Sequence, residues 1–316
     1  MNKSIALAKS SHGLLKAPTA ACTPVSPSGG RVVLAIGGRL ALVFLLVGCS
    51  VTRVAYDNLG VLARVMGGRY LDLDSAQWDE LKPRIASFHR WHRANELPAY
   101  AALLQSASQR AAKGITAEDV EWGIANVRAR IHRFAAKAAE DAAPVLATLQ
   151  PAQLAALEHK FAENNEKYAR EYLAADDAKR RRAQLKRAIG NFSDFAGELT
   201  PEQQARVERF VASHERHVEL RFEDRRHWQR DALALLRKHY PPQELGRRLA
   251  ETFARPELRR SEEFLREERR WEQDFAQLVV DLDRSMSARQ RARVVRRLQS
   301  YAEDAAALAA RIGEAA

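Results

Sequence analysis

Five short segments of this chain share the chemistry of a helix start, and they constrain its fold more than any other feature. In each, an apolar residue precedes a polar one, and Gln or an acid stands three residues after the polar residue. Such a polar residue caps a new helix, and the later side chain returns a hydrogen bond to the cap. The segments begin at Leu73, Ile115, Leu149, Leu199 and Met286. The chain is therefore punctuated by repeated helix beginnings.

Between these starts the apolar residues recur every three or four positions, which is the period of one helix face. The clearest runs are Leu81, Ile85, Phe88 and His92, and then Val207, Phe210, Val211, His214, Val218 and Phe222. No segment alternates in the manner of a half-buried strand. Few glycines (15) and prolines (11) agree with long helices. The sequence predicts an all-α fold.

We predict long helices near 74–112, 116–147, 151–173, 177–198, 200–239, 242–254, 257–285 and 287–312. Pro98 should kink or split the first of them, because proline cannot donate to the preceding turn. No Gly/Ser-rich linker divides the series. We therefore expect residues 49–316 to form one helical domain, an elongated multi-helix bundle or array.

An apolar run near the N-terminus, Leu40 to Val47, is too short to span a membrane, which takes about 20 residues. With Arg31 and Arg39 before it, the run is typical of a signal peptide. It ends in a segment similar to a lipobox: Leu46, Val47, Gly48 and Cys49. Small residues suit the signal peptidase, and the cysteine sulfur would carry a diacylglycerol.

These features predict that residues 1–48 are a lipoprotein signal peptide and that Cys49 becomes an acylated membrane anchor. The leader is long, and a translation start nearer Val32 would account for it. Ser50 is not the Asp that resembles an inner-membrane retention signal, so we expect the outer membrane, facing the periplasm, over the inner one. Nucleic acid would be out of reach there. The alternative is a buried helix in which Cys49 is incidental.

The chain has two cysteines: Cys22 would be removed with the leader and Cys49 would be acylated, so the mature domain has no free thiol. A disulfide, a thiolate metal site and a cysteine nucleophile are then excluded. We expect no cofactor other than the acyl anchor itself.

The densest polar block holds His89, His92 and Glu96, whose spacing of three and four places them on one helix face. Two imidazoles and a carboxylate could bind zinc or a similar metal. Arg90 and Arg93 oppose this, since they bring positive charge beside the block. The alternative is histidines at the edge of the core that Glu96 or a neighbouring helix satisfies.

His214 and His217 repeat the spacing of three, and His214 lies on an apolar stripe, which favours packing. The two histidine pairs could converge into one metal site, although the sequence does not show that they do. The run Lys179–Arg182 could touch a polyanion or form a solvated helix turn. The segment Glu163–Tyr172 could hold acid–base carboxylates, or a polar seam that fixes helix register.

The chain resembles a family of uncharacterised lipoproteins of Gram-negative bacteria that is classed as a domain of unknown function. The resemblance spans most of residues 46–316 and rests on motifs beginning at Leu46, Tyr56, Tyr70, His89, Glu96, Phe161, Glu171 and Leu199. It implies the lipoprotein address and no activity. The segment Leu199–Gln203 is also similar to the Leu-Thr-x-x-Gln pattern of small periplasmic helical chaperones and metal-stress sensors.

The leading hypothesis is a non-enzymatic, chaperone-like envelope lipoprotein that binds protein clients or envelope components along a concave helical surface. The first alternative is metal binding or sensing through His89 and His92. The second is an enzyme of the cell envelope. Glycine-rich phosphate loops, nucleophile elbows and calcium loops are missing from the sequence, which favours the first hypothesis.

Overall fold

The computed structural model describes residues 56, 59–173, 176–254 and 256–311. All of them belong to one compact unit of the chain. The predicted signal peptide, its lipobox (Leu46, Val47 and Gly48) and Cys49 lie outside the described residues.

The fold is all-α, as the periodicity predicts, with no strand among the residues described. The first helices are α1 (Leu59–Tyr70), α2 (Ser75–Trp91), a π-helical turn (His92–Glu96), α3 (Leu97–Lys113), α4 (Ala117–Leu146) and α5 (Pro151–Tyr172). They are followed by α6 (Asp177–Ala196), α7 (Pro201–Ser213), α8 (Glu215–Leu236), α9 (Pro242–Ala254), a 3₁₀ turn (Pro256–Leu258), α10 (Glu262–Arg284) and α11 (Ala288–Ala310).

The predicted helix starts are confirmed. Capping boxes begin helices after Asp74, Thr116, Thr200 and Ser287, where the cap accepts from the third residue and that residue's side chain accepts from the cap. At Gln150 the second of these bonds is clear, with the Gln150 N–H donating to Gln153 Oε1 at 2.9 Å. Because each cap satisfies backbone N–H groups that have no partner in the helix, it fixes where the helix begins.

Pro98 lies where the first predicted helix changes its hydrogen-bond pattern without breaking. It stands in the first turn of α3, directly after the π-helical turn. Proline has no N–H for the carbonyl four residues back, and its ring crowds that carbonyl. The widened turn lets the Leu97 N–H donate to the His92 carbonyl, five residues back, so the chain remains helical.

One predicted helix, 200–239, is wrong as a single element. It divides into α7 and α8 at His214, whose φ of −122° and ψ of 26° leave the helical region. No Gly or Pro marks the break. Since the His214 side chain is 3% exposed, tertiary packing at this residue outweighs the continuous helical pattern.

Two glutamines hold the start of α2 against the start of α5. Gln153 Nε2 donates to Gln77 Oε1 at 2.6 Å, and Gln77 Nε2 donates to Gln153 Oε1 at 3.1 Å. Each amide also donates to a backbone carbonyl that lies two residues before the cap of the other helix. Gln77 donates to the Thr148 carbonyl, and Gln153 donates to the Asp72 carbonyl. We call this symmetric arrangement the first glutamine joint.

A second glutamine joint, between α7 and α11, repeats every one of these bonds. Gln203 and Gln290 exchange side-chain hydrogen bonds at 3.3 and 3.0 Å. Gln203 also donates to the Ser285 carbonyl, and Gln290 to the Glu198 carbonyl. The same connection therefore joins helix starts at two places in the fold.

Each joint lies beside one of the hydrophobic cores. The larger core includes Leu73 and Leu149, the apolar residues that precede the caps of the first joint. The smaller one includes Leu199, which precedes a cap of the second. Helix α9 packs closely on α4 in the larger core, where a Cβ on Gly246 would lie 3.2 Å from the Ala143 Cβ. None of the described helices is long and apolar enough to cross a membrane.

Candidate functional site

The π-helical turn carries the polar block that the sequence singles out. His92 and Glu96 lie in the turn and are buried, while His89 lies in the last turn of α2. The Tyr56 hydroxyl is 2.9 Å from His92 Nδ1, and the Tyr56 ring lies 4.6 Å from that of His89. The structure thus brings these residues together in one aromatic-lined cluster, which we call the π-turn cluster.

Glu96 is fully enclosed, with a relative exposure of 0%. Two arginines of α4 face its carboxylate: Arg133 Nε lies 2.9 Å from Oε1, and Arg130 Nη1 lies 3.6 Å from Oε2. Neither oxygen accepts a hydrogen bond from the residues described, so the attraction is mainly between charges. Burial raises the pKa of Glu96, and the two guanidinium groups oppose that rise.

Burial favours the neutral forms of His92 and Tyr100 in this cluster. Burial, and then the charge of His89, lower the pKa of His92 to about 4. Burial also raises the pKa of the Tyr100 hydroxyl, which has no hydrogen-bond partner among the residues described. A neutral imidazole beside a phenol, next to a Glu96 that is 0% exposed, is typical of a packed interior.

The second histidine pair is also buried, at the break between α7 and α8. His217 Nε2 lies 2.6 Å from Glu268 Oε2, and its ring stacks on Trp271. Burial alone would raise the pKa of Glu268, but the hydrogen bond with His217 and nearby positive charges lower it to about 2. Burial lowers the pKa of His214, whose Nε2 lies 3.2 Å from Asp274 Oδ2.

The structure does not bring the two histidine pairs together. His92 contacts the Phe134 ring of α4, whereas His217 contacts α10 through Trp271. Within the described part of the chain, no three His, Cys, Asp or Glu side chains are grouped so as to hold a metal ion. The histidines of both pairs contact acidic or aromatic side chains instead.

The two surface candidates are engaged in contacts between helices. In the basic run, Arg180 Nη2 lies 3.3 Å from Glu215 Oε2, and Arg181 Nε donates to Glu215 Oε1 at 2.5 Å, both across α6 and α8. In the segment 163–172, Asn165 donates to Gln229 at 2.6 Å across α5 and α8. The Asn165 contact fits a polar seam that fixes register, whereas Arg180 and Arg181 pair with a neighbouring helix and do not form a purely solvated turn.

Sequence reasoning missed an apolar cavity of about 270 Å³ between α3, α4, α6, α10 and α11. Its wall is mostly hydrocarbon and includes Trp122, Phe192, Phe195, Leu282 and Val294. These residues come from four different helices, so one sequence gives no signal that their apolar faces surround an open space. The N3 glutamines of the joints offered a signal, because glutamine rather than glutamate occupies that place in four capping boxes.

These features define an all-α protein whose helix starts are joined by side-chain amides and whose polar clusters are buried. A family model, described as a family of unknown function (DUF6279), matches residues 69–266. The chain belongs to that family. The match includes the π-turn block from His89 to Tyr100, which is one of the blocks on which the expected resemblance rests. No curated protein and no solved structure matches the chain.

Proposed function

We propose that the chain is a lipid-anchored lipoprotein of the cell envelope and that its helical body is a binding protein without catalytic activity. The observation that carries the proposal is the apolar run that ends in Leu46-Val47-Gly48-Cys49. A short apolar segment, a positive flank and small residues before a cysteine together match the requirements of lipoprotein processing. Ser50, in place of Asp, favours the outer membrane, facing the periplasm.

The arrangement of the body supports binding over catalysis. A catalytic acid or base has to reach its substrate within hydrogen-bond distance. Glu96 is 0% exposed behind two arginines, and His217 is 2% exposed and paired with Glu268. An apolar cavity lies elsewhere among the described residues, and its wall suits an apolar ligand. Client proteins or envelope components on the helical surface remain the partners we propose.

Labelling with a clickable fatty acid tests the anchor. Cells that express the full chain should incorporate the label, and a Cys49→Ala chain should lose it. Cys22→Ala is the matched control, because it removes the chain's other cysteine and should leave labelling unchanged. Label that persists in Cys49→Ala, or disappears in Cys22→Ala, would overturn the proposed anchor.

A further inference from the structure

We infer that the cavity between α3, α4, α6, α10 and α11 binds one acyl chain of an anionic, single-chain amphiphile. The inference deepens the proposed binding role and rests on it. The ligand class follows from three features of the cavity, namely its wall, one glycine and one arginine.

The wall and the size fit a hydrocarbon chain. Apolar cavities of about 150 Å³ stay dry and accept benzene. At about 270 Å³ this one is larger, though still just below the range of about 300–1,000 Å³ for drug-sized ligands. Aromatic side chains from two helices, Trp122 of α4 and Phe192 and Phe195 of α6, line it. A slender, flexible apolar ligand suits such a space.

Gly123 leaves part of this space open. It lies in the interior of α4 and lines the cavity, and a Cβ placed there would meet no atom within 4 Å. A glycine inside a helix costs about 1 kcal/mol relative to alanine. Close packing does not require the glycine here, so the missing side chain serves to keep the cavity open.

Arg110 supplies the positive charge in the cavity lining, which also includes the carboxylates of Asp119 and Asp283. Its side chain is 40% exposed, and its guanidinium lies 4.2 Å from the centre of the Trp122 ring. It pairs with Asp119, which also accepts the Thr116 N–H as part of a capping box. The guanidinium carries five N–H groups, so donors remain for a second anion. A carboxylate or phosphate at Arg110 would leave its hydrocarbon tail against the apolar wall.

Hydrogen bonds also brace the cavity wall around Asp283. Arg291 donates to both carboxylate oxygens of Asp283, at 2.7 and 3.0 Å, and to the Ala111 carbonyl at 2.9 Å. Asp283 also accepts the Ile115 N–H at 3.1 Å. These bonds tie α10 and α11 to the connection between α3 and α4. The cavity is therefore framed by fixed elements, as a pre-formed ligand site requires.

A photoactivatable dodecanoate, applied to membranes that hold the full chain, tests the inference. A parallel set of the same chains also carries Cys49→Ala, so that acylation of the cysteine is not mistaken for binding in the cavity. After illumination, the label should map by mass spectrometry to the cavity segments around Trp122 and Phe192. Gly123→Leu should reduce this labelling to the level seen without light, because the new side chain fills the cavity.

Gly190→Leu is the matched control. Gly190 lies inside α6, is exposed, and has nothing within 4 Å of an added Cβ, so the same change there should leave labelling intact. Equal labelling of Gly123→Leu and wild type, or a label that maps outside the cavity, would overturn the inference. Circular dichroism of both variants shows whether they are folded. If Gly123→Leu does not fold, the mapped position and the competition below decide.

Competition identifies the head group. In wild type, unlabelled dodecanoate should displace the probe and dodecanol should displace it only weakly. In Arg110→Met, which lacks the positive charge, the two competitors should be equally effective. Equal competition by both in wild type would overturn the role of Arg110. Dodecanoyl lysophosphatidylglycerol in a further arm distinguishes a lysophospholipid from a free fatty acid. The two proposals can fail separately. If the parent chain is not acylated by the clickable fatty acid but the cavity is still photolabelled in the Cys49→Ala set, the anchor is rejected and the cavity site is retained.

Discussion

Gln203 and Gln290 donate hydrogen bonds to each other's side-chain oxygen although 87 residues separate them. Each oxygen also accepts the backbone N–H of its own helix cap, Thr200 or Ser287. Each side-chain amide therefore has two roles: it caps the start of its own helix and joins that helix to another. Gln77 and Gln153 do the same elsewhere in the fold.

Gln203→Leu should lower the free energy of unfolding by about 2 kcal/mol, because buried partners left without hydrogen bonds cost about 1–3 kcal/mol. The double variant Gln203→Leu/Gln290→Leu should cost less than the sum of the two single variants, since the residues act as one unit. Urea unfolding measures both effects. Gln105→Leu, at an exposed position of α3, should change little. Strictly additive costs at 203 and 290 would contradict the joint.

Glu96→Gln should change how stability depends on pH. A carboxyl whose pKa is raised on folding contributes fully below its unfolded pKa of 4.5, and that contribution is lost as the pH rises through the folded pKa. The amide cannot ionise, so the variant should gain stability relative to wild type as the pH rises from 4.5 to neutral. Urea midpoints across this range measure the difference. Glu262→Gln, at a side chain that is 95% exposed, should show no such gain.

His92→Gln should reduce the loss of stability in acid. Burial lowers the pKa of His92 from 6.5 to about 4, so its contribution is present above 6.5 and is lost as the pH falls through 4. The shift corresponds to about 3 kcal/mol. Unfolding in urea at neutral pH and near pH 4 tests this. His159→Gln, at a ring that is 76% exposed, should behave as wild type, and an equal acid loss in His92→Gln would refute the assignment.

Two helix glycines should respond in opposite directions. Gly246→Val should destabilise the fold by about 2 kcal/mol, because α9 has no room for a side chain against α4 and overpacking costs about 1–3 kcal/mol. Gly190→Ala should stabilise it by about 0.5–1 kcal/mol, since the site is open and alanine favours the helix. Thermal unfolding of both variants measures the signs. A stabilising Gly246→Val would show that the close contact is absent.

Local chemistry in the sequence was sufficient to predict the helix starts. Thr116 and Asp119 show why: a cap needs only residues three apart, and the structure contains their reciprocal bonds. The disruption before Pro98 followed in the same way from the missing N–H. The break at His214 could not be predicted, because it depends on a buried contact that the local pattern does not contain.

The surroundings of the candidate residues depend on long-range contacts. Glu96 is a plausible ligand or base by its spacing, but Arg130 and Arg133, which enclose it, lie on a different helix. The pairing of Gln77 with Gln153 joins positions 76 residues apart. A single sequence shows the chemistry of each residue but not which distant residues come into contact. Neither the burial of Glu96 nor the apolar cavity was therefore predicted.

The most direct test of the proposed envelope binding protein is the mass of its N-terminal peptide after extraction from membranes. The account predicts a chain that starts at Cys49, with a diacylglyceryl group on the sulfur and no peptide from residues 1–48. A chain that retains those residues and a free thiol at Cys49 would contradict it.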